Sequence, residues 1–225
     1  MKKGLVTQAR QHNDVFNIAT LEGESFTAEK LLFSTGIIDV MPDIPGFAEC
    51  WGISVLHCPY CHGYEVRSQP TGIIANGDMA FEYAKMISTR TKQLTLFTNG
   101  PSLLSEQQLH KLQQHNIAVY EKDIKQINHN NGILSSLELM DGSIHNLKAV
   151  YARPDIKQHC NLPQQLNCEM TETGYIKVDA FQATTVEGVF AAGDNATMFR
   201  SLAIAIADGN KAGAFIDKQL IQDNF

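Results

Sequence analysis

Short apolar runs broken by turn-forming residues fill the first forty positions. Residues 4–9, Val15–Thr20 and Ser25–Ala28 are rich in β-favouring side chains, and Glu22-Gly23-Glu24 separates two of them, so the spacing predicts a small antiparallel meander. Lys30-Leu31-Leu32-Phe33-Ser34-Thr35-Gly36 is too short for a helix and ends on small residues, as a buried parallel strand does where it meets a ligand. In Met41-Pro42-Asp43-Ile44-Pro45-Gly46 two prolines and a glycine forbid regular structure and mark a linker.

Beyond residue 70 the period changes. Residues 72–75 form a strand, Asn76-Gly77-Asp78 a turn, and 79–89 a helix in which Ala80, Tyr83, Ala84 and Ile87 recur at helical spacing; residues 93–98 are the next strand, which completes a β-α-β unit. A polar amphipathic helix over 103–115 and a strand over 117–120 come next. Residues 122–148 read as a hairpin about Asn130-Asn131-Gly132 with a second turn at Asp141-Gly142-Ser143, Ala149–Ala152 closes the unit, and Arg153-Pro154-Asp155 is its exit. The last third offers a strand over 174–179 and the buried strand Gly188-Val189-Phe190-Ala191-Ala192-Gly193-Asp194, ending in a glycine and a carboxylate. The helix over about 202–221 that follows is rich in small residues, which let its backbone lie close to a neighbour or a flat ligand; close helix–sheet packing is the plainer alternative.

At 225 residues the chain can bury a sizeable core as one large domain or two modest ones. A net charge of −6 and a pI near 5.7 argue against a nucleic-acid or anionic-membrane surface, and no apolar run approaches the roughly 20 residues a bilayer needs. Met1-Lys2-Lys3-Gly4-Leu5 leads into no apolar run of a signal peptide. Five cysteines are too few for a disulfide framework, and the odd count fits a reducing, cytoplasmic setting.

The candidate chemistry lies in His57-Cys58-Pro59-Tyr60-Cys61-His62-Gly63-Tyr64-Glu65, which holds the only close cysteine pair. Two thiols at this spacing can close a small disulfide, reopen it, and hold one sulfur as a thiolate while the other is attacked. The same letters also fit covalent haem attachment, which belongs to exported proteins, a zinc knuckle flanked by His57 and His62, which lacks a second ligand pair, and two buried apolar cysteines. A dithiol/disulfide couple is favoured and no metal is expected. Cys50, Cys160 and Cys168 read as bystanders, and the histidines at 110, 115, 129, 145 and 159 nearly all as surface residues.

The turn Ala75-Asn76-Gly77-Asp78-Met79-Ala80 keeps two of the three small residues of G-x-G-x-x-G/A, so Asn76, Gly77, Asp78, Met79 and Ala80 are candidates for an NAD(P) pyrophosphate; a Rossmann-like unit without nucleotide stays open. Thr98-Asn99-Gly100-Pro101-Ser102, at the end of the second strand, supplies neither a cation for a ribose phosphate nor an acid for ribose hydroxyls, which speaks against tight use of NADPH or NADH.

Four segments in order, Ser34-Thr35-Gly36, the C-x-x-C at the head of a degenerate nucleotide-binding unit, Gly174-Tyr175-Ile176-Lys177-Val178 and 188–194, give the chain a resemblance to the low-molecular-weight thioredoxin reductase family. That resemblance implies an α/β fold of two Rossmann-like domains, an NAD(P)-type domain over 42–154 inserted in an FAD-type domain made of 1–41 and 155–225, assembled as a homodimer. It implies FAD held by Thr35, Gly36, Gly193, Asp194 and the stretch Arg200, Ser201, Leu202 and Ala203, with Cys61 facing the flavin, Cys58 exchanging with the outside disulfide, and His62 standing where the family has an acid. The family's N-terminal G-x-G-x-x-G strand-turn-helix, which binds the ADP half of FAD, has no counterpart, so a fragment, or a chain completed by a partner, is expected. Cys58-Pro59-Tyr60-Cys61-His62 is similar to a subgroup that includes small-molecule dithiol oxidases using FAD and oxygen without NADPH. The implied partners are thus a thioredoxin-like protein or a small-molecule dithiol or disulfide, and a non-catalytic remnant or interaction protein is the reading from another class.

Overall fold

The computed structural model describes residues 2–13 and 15–225. The chain forms two compact units, Met1–Val40 with Ile156–Phe225, and Met41–Asp155. In the first unit β1 (Val6–His12), β2 (Val15–Thr20) and β3 (Ser25–Ala28) make the expected antiparallel meander, Phe16 lying opposite both Gln11 and Ala28. Next come β4 (Leu31–Phe33) and β5 (Ile37–Val40), the latter absent from the pattern-based reading.

The second unit opens with α1 (Phe47–Cys50), β6 (Val55–Leu56) and α2 (Pro59–His62), followed by β7 (Thr71–Ile74), α3 (Gly77–Ile87), β8 (Leu94–Phe97), α4 (Glu106–Gln114) and β9 (Ala118–Tyr120). β10 (Ile124–Asn130), β11 (Ile133–Leu139) and β12 (Ile144–Asn146) then form a separate antiparallel sheet, and β13 (Ala149–Ala152) returns as an inner strand between β6 and β7 of a five-stranded parallel sheet of order β6-β13-β7-β8-β9. β13 is buried throughout, as an inner strand covered on both faces must be. Helix α3 turns Ala80, Tyr83, Ala84 and Ile87 onto this sheet, the stripe its 3.6-residue period demands. Ser54 joins the two sheets: its hydroxyl donates to Gly132 O and accepts from Leu134 N, while Val150 N bonds its carbonyl. Gly46 ends the linker at φ 86, where an added Cβ would run into the Ile127 carbonyl oxygen, so no side chain fits there. His145 is not a plain surface residue: its ring packs on Phe97 and Tyr120 at 5.0 and 4.3 Å between centroids.

Helix α4 starts with a reciprocal cap, Ser105 Oγ accepting from Gln108 N and Gln108 Oε1 accepting from Ser105 N. Ser105→Ala is expected to cost about 1 kcal/mol, read as a lower urea midpoint with unchanged slope; an unaltered midpoint would mean that the helix end needs no cap.

The chain re-enters the first unit through β14 (Asp155–Gln158), which pairs with β5 where an exit loop is expected, and continues with α5 (Leu162–Gln165), β15 (Val189–Ala191) and α6 (Leu202–Asn224). β15 lies parallel to β4, Val189 opposite Leu31 and Ala191 opposite Phe33. The strand expected over 174–179 does not form a ladder. Only single bridges occur, Met170 with Ile176 and Val178 with Thr184, because its amides bond loop carbonyls instead, Ile176 N to Asn195 O and Lys177 N to Glu169 O. Phe16, Phe33, Leu162, Ile176, Val189 and Ala191 fill this unit's core.

Candidate functional site

In the second unit, β6 delivers the chain to His57 and Cys58, and Pro59 begins α2 at the position where a missing N–H costs nothing. Cys58 caps this single turn: its sulfur accepts from Cys61 N at 3.3 Å, and His62 N bonds its carbonyl. One turn of helix therefore brings the two sulfurs onto the same side. Gly63 closes the turn because a Cβ there would collide with the Pro59 carbonyl oxygen; the Arg90 Nε lies 3.4 Å from that point. All five cysteines carry free thiols. Cys58 is half-buried and Cys61 and His62 are exposed. The Cys61 thiol is pushed above its ordinary range, chiefly by its hydrogen bond to the Cys58 sulfur, with burial and the Cys58 charge adding to it. Within the turn the Cys58 sulfur is thus the acceptor. Burial raises the Cys50 and Cys168 thiols, which marks them as inert packing groups. No group of three or more His, Cys, Asp or Glu able to hold a metal occurs among the described residues.

Two phenols of the cluster behind the motif bear on it. Tyr83 donates to the His57 carbonyl at 3.0 Å. Tyr151 is 1% exposed, has no hydrogen-bond partner for its hydroxyl, and is pushed up to about 12, first by burial and then by the Cys58 charge.

The turn after β7 is filled by its own side chain. Asn76 Oδ1 accepts from Gly77 N and Leu103 N, both at 2.8 Å, and its amide donates to Pro101 O at 2.9 Å. Asp78 accepts from Gln108, Ala80 is buried in the core, and Met79 is exposed. At the end of β8, Asn99 Oδ1 accepts from Ile124 N, and the Ser102 amide is bonded by Glu121. An acid, not a cation, thus stands at that strand end.

In the first unit the ends of β4 and β15 and the start of α6 enclose a cleft of about 700 Å³. Ser34, Gly36, Gly193, Asp194, Arg200, Ser201 and Leu202 line it; Thr35 and Ala203 do not. Gly193 takes φ 89, a left-handed turn open to glycine, and so ends β15 directly beside Asp194. Ser201 caps α6 by accepting from Ile204 N. Arg200 is already engaged: its two terminal nitrogens bond both Asp39 oxygens at 2.8 and 2.9 Å. Sequence reasoning missed Asp39 and also Asn195, which is fully buried and donates to the Phe33 carbonyl at 2.8 Å, tying β4 to the turn after β15. Position next to Gly193-Asp194 could have flagged Asn195; nothing local flags Asp39. The donor set suits a flavin: small residues (Gly36, Ala192, Gly193, Ala205, Gly209) leave room for a flat ring, Asp194 offers an acceptor, and Ser201 an additional polar edge.

A parallel dinucleotide-type sheet bearing a C-x-x-C turn in one unit, and in the other a cleft at the ends of parallel strands, define the class of flavin and nicotinamide disulphide enzymes. Residues 2–209 match the pyridine nucleotide-disulphide oxidoreductase family, and the chain belongs to it. A thioredoxin reductase of Claviceps purpurea is 31% identical over 229 residues, spanning 97% of this chain and 71% of that protein. Among solved structures, the TrxB protein of Bacillus anthracis superposes with a TM-score of 0.91 at 28% identity over the whole of this chain and 76% of its own. An oxidoreductase of Agrobacterium tumefaciens gives 0.88 at 32% identity, covering 98% and 74%. The chain is therefore a thioredoxin-reductase-like oxidoreductase with Rossmann-type folding. No helix among the described residues is long and apolar enough to cross a membrane.

Proposed function

We propose that this chain is a flavin-linked thiol-disulfide oxidoreductase in which Cys58 and Cys61 alternate between dithiol and disulfide. The cleft lined by Gly193, Asp194 and Ser201 would hold FAD, and the cysteine pair exchanges with an outside dithiol or disulfide. The observation that carries this reading is the one-turn pairing of Cys58 and Cys61, in which the Cys58 sulfur accepts from the Cys61 amide. FAD, when bound, would supply a two-electron carrier that can pass electrons to or from an acceptor such as oxygen or a nicotinamide, which the sulfur pair alone cannot do. The chain's own part is exchange. A substrate thiolate attacks the Cys58 sulfur of the disulfide, Cys61 leaves and takes a proton, and the substrate's second sulfur then displaces Cys58, so the substrate loses two electrons and two protons and the pair gains them. Run backwards, the same steps reduce the disulfide of a thioredoxin-like protein. His62, exposed next to Cys61, is the imidazole placed to exchange a proton with the leaving sulfur. A reducing, cytoplasmic setting suits five free thiols, and the homodimer is taken from the family.

One observation favours the oxidase direction, in which a small-molecule dithiol is the donor and no NADPH is used. Asn76 occupies the first helix-start amide, Gly77 N, and at the end of β8 the acid Glu121 stands where the ribose phosphate of NADPH would call for a cation. Anaerobic dithiothreitol is expected to bleach the flavin-loaded protein; absence of bleaching would overturn the flavin-linked reading. NADPH added instead to a separate oxidised sample sets the direction, because rapid bleaching removes the oxidase alternative.

A further inference from the structure

A second cavity, of about 500 Å³, lies within the Met41–Asp155 unit and shares no residue with the redox turn or the flavin cleft. The last turns of α3 and α4 and the segment entering β9 enclose it. Its apolar lining is Leu112 and Ile117, both buried, with the half-buried Phe81, so the hollow opens onto the same core that packs on the parallel sheet. Lys85, Lys111 and His115 supply its charged and titratable groups, and no carboxylate lines it, in a chain whose net charge is −6. Lys85 is paired with Glu82 one turn away and lies over the Phe81 ring. Among the described residues the Lys111 ammonium and the His115 ring have no hydrogen-bond or ion-pair partner.

Cations in the last turn of a helix also complement its dipole, and Lys85 and Lys111 hold such positions. That accounts for their sign but not for the apolar hollow between them. Nor do the helix ends use the cations up, because local donors already take the closing carbonyls. Ser88 N bonds Ala84 O and Ser88 Oγ bonds Lys85 O, while the amides of His115, Asn116 and Ile117 bond the carbonyls of Lys111, Gln113 and Leu112.

We propose that this cavity binds a small organic acid with an apolar body, its rings against Phe81, Leu112 and Ile117 and its carboxylate at Lys111 and His115. The volume falls within the roughly 300–1,000 Å³ of ligand sites. Burying the apolar body provides most of the affinity, and the unpaired ammonium selects the sign of charge accepted. A neutral molecule of the same shape gains only the first of these. The inference is independent of the redox chemistry of Cys58 and Cys61.

The probe is 2-naphthoate, titrated calorimetrically into the full chain beside 2-naphthamide, which keeps the rings and lacks the charge. Naphthoate is expected to bind at one site with a Kd of about 1 mM or tighter, and more tightly than the amide. Lys111→Glu changes an exposed side chain on which no other residue leans. It should weaken naphthoate about fivefold and leave the amide unchanged, since at an exposed site losing an attraction and gaining a repulsion are each worth a factor of about two. Added salt should likewise weaken the acid and spare the amide. Ser88→Phe, which puts a ring into the hollow, should abolish binding of both. That variant also separates this site from the flavin cleft, because a naphthoate held beside Asp194 would not respond to it. Circular dichroism and the urea midpoint establish that each variant is folded, and Lys111→Glu stands alone if Ser88→Phe is not. No binding of naphthoate, equal binding of acid and amide, or a naphthoate affinity that either folded variant leaves untouched would overturn the proposal.

Discussion

Serine at position 58 or 61 is expected to lower dithiol–disulfide turnover by about a thousandfold or more, because one sulfur cannot store the two electrons that a disulfide accepts. The two variants should still differ. In the wild type the Cys61 thiol is held above its ordinary range first by its hydrogen bond to Cys58. A raised value means that at a given pH below it Cys61 carries its proton more often than a free cysteine. Cys58→Ser removes the sulfur that causes this, so Cys61 should become more acidic and alkylate faster around pH 8. In Cys61→Ser the Cys58 sulfur remains at the cap of α2, able to form a mixed disulfide with a substrate that nothing inside the chain can then resolve. Trapping that adduct by mass spectrometry would assign exchange to Cys58; turnover that survives in either variant would end the account.

Much of this was legible from residue order. The period of Ala80, Tyr83, Ala84 and Ile87 gave α3 its buried face, the alternation on either side of Asn130-Asn131-Gly132 gave the hairpin, and the small residues ending β4 and β15 gave a cleft, since the polypeptide must stop there to admit a ligand. These are local patterns, set by periodicity and turn chemistry. What escaped depends on contacts distant in the chain. β5 exists only because β14 lies beside it, and neither segment shows the alternation of a strand. The run over 174–179 has strand-like letters, yet its amides are taken by Asn195, Glu169 and Ala183 in the loops around it, so propensity was overruled by a nearer set of acceptors. Tyr151 escaped too, because a tyrosine in a buried strand reads as packing until its hydroxyl is found without a partner.

Arg200 shows the same limit in the cleft, and there it carries a large expected effect. From sequence it was placed at the flavin edge; in the structure its guanidinium forks onto Asp39, with side-chain exposures of only 18% and 16%. The pair ties β5 to the segment leading into α6, so Arg200 acts as a wall of the cleft by holding Asp39, and Asp39 lies 161 residues away in sequence. A bidentate pair this sheltered is weakly stabilising as a whole but costly to break from one side, because the remaining carboxylate stays out of water with no countercharge. Arg200→Leu is therefore expected to lower stability by about 3 kcal/mol, read from urea unfolding. Arg200→Lys, which keeps the charge but loses the fork, should cost about 1 kcal/mol. Adding Asp39→Leu to Arg200→Leu should recover most of the loss, since no orphaned carboxylate then remains. Recovery in the double variant without recovery of flavin retention would separate the shape of the cleft from the stability of the unit. A single Arg200→Leu change that leaves the urea midpoint where it was would show that the fork does not hold β5 in place.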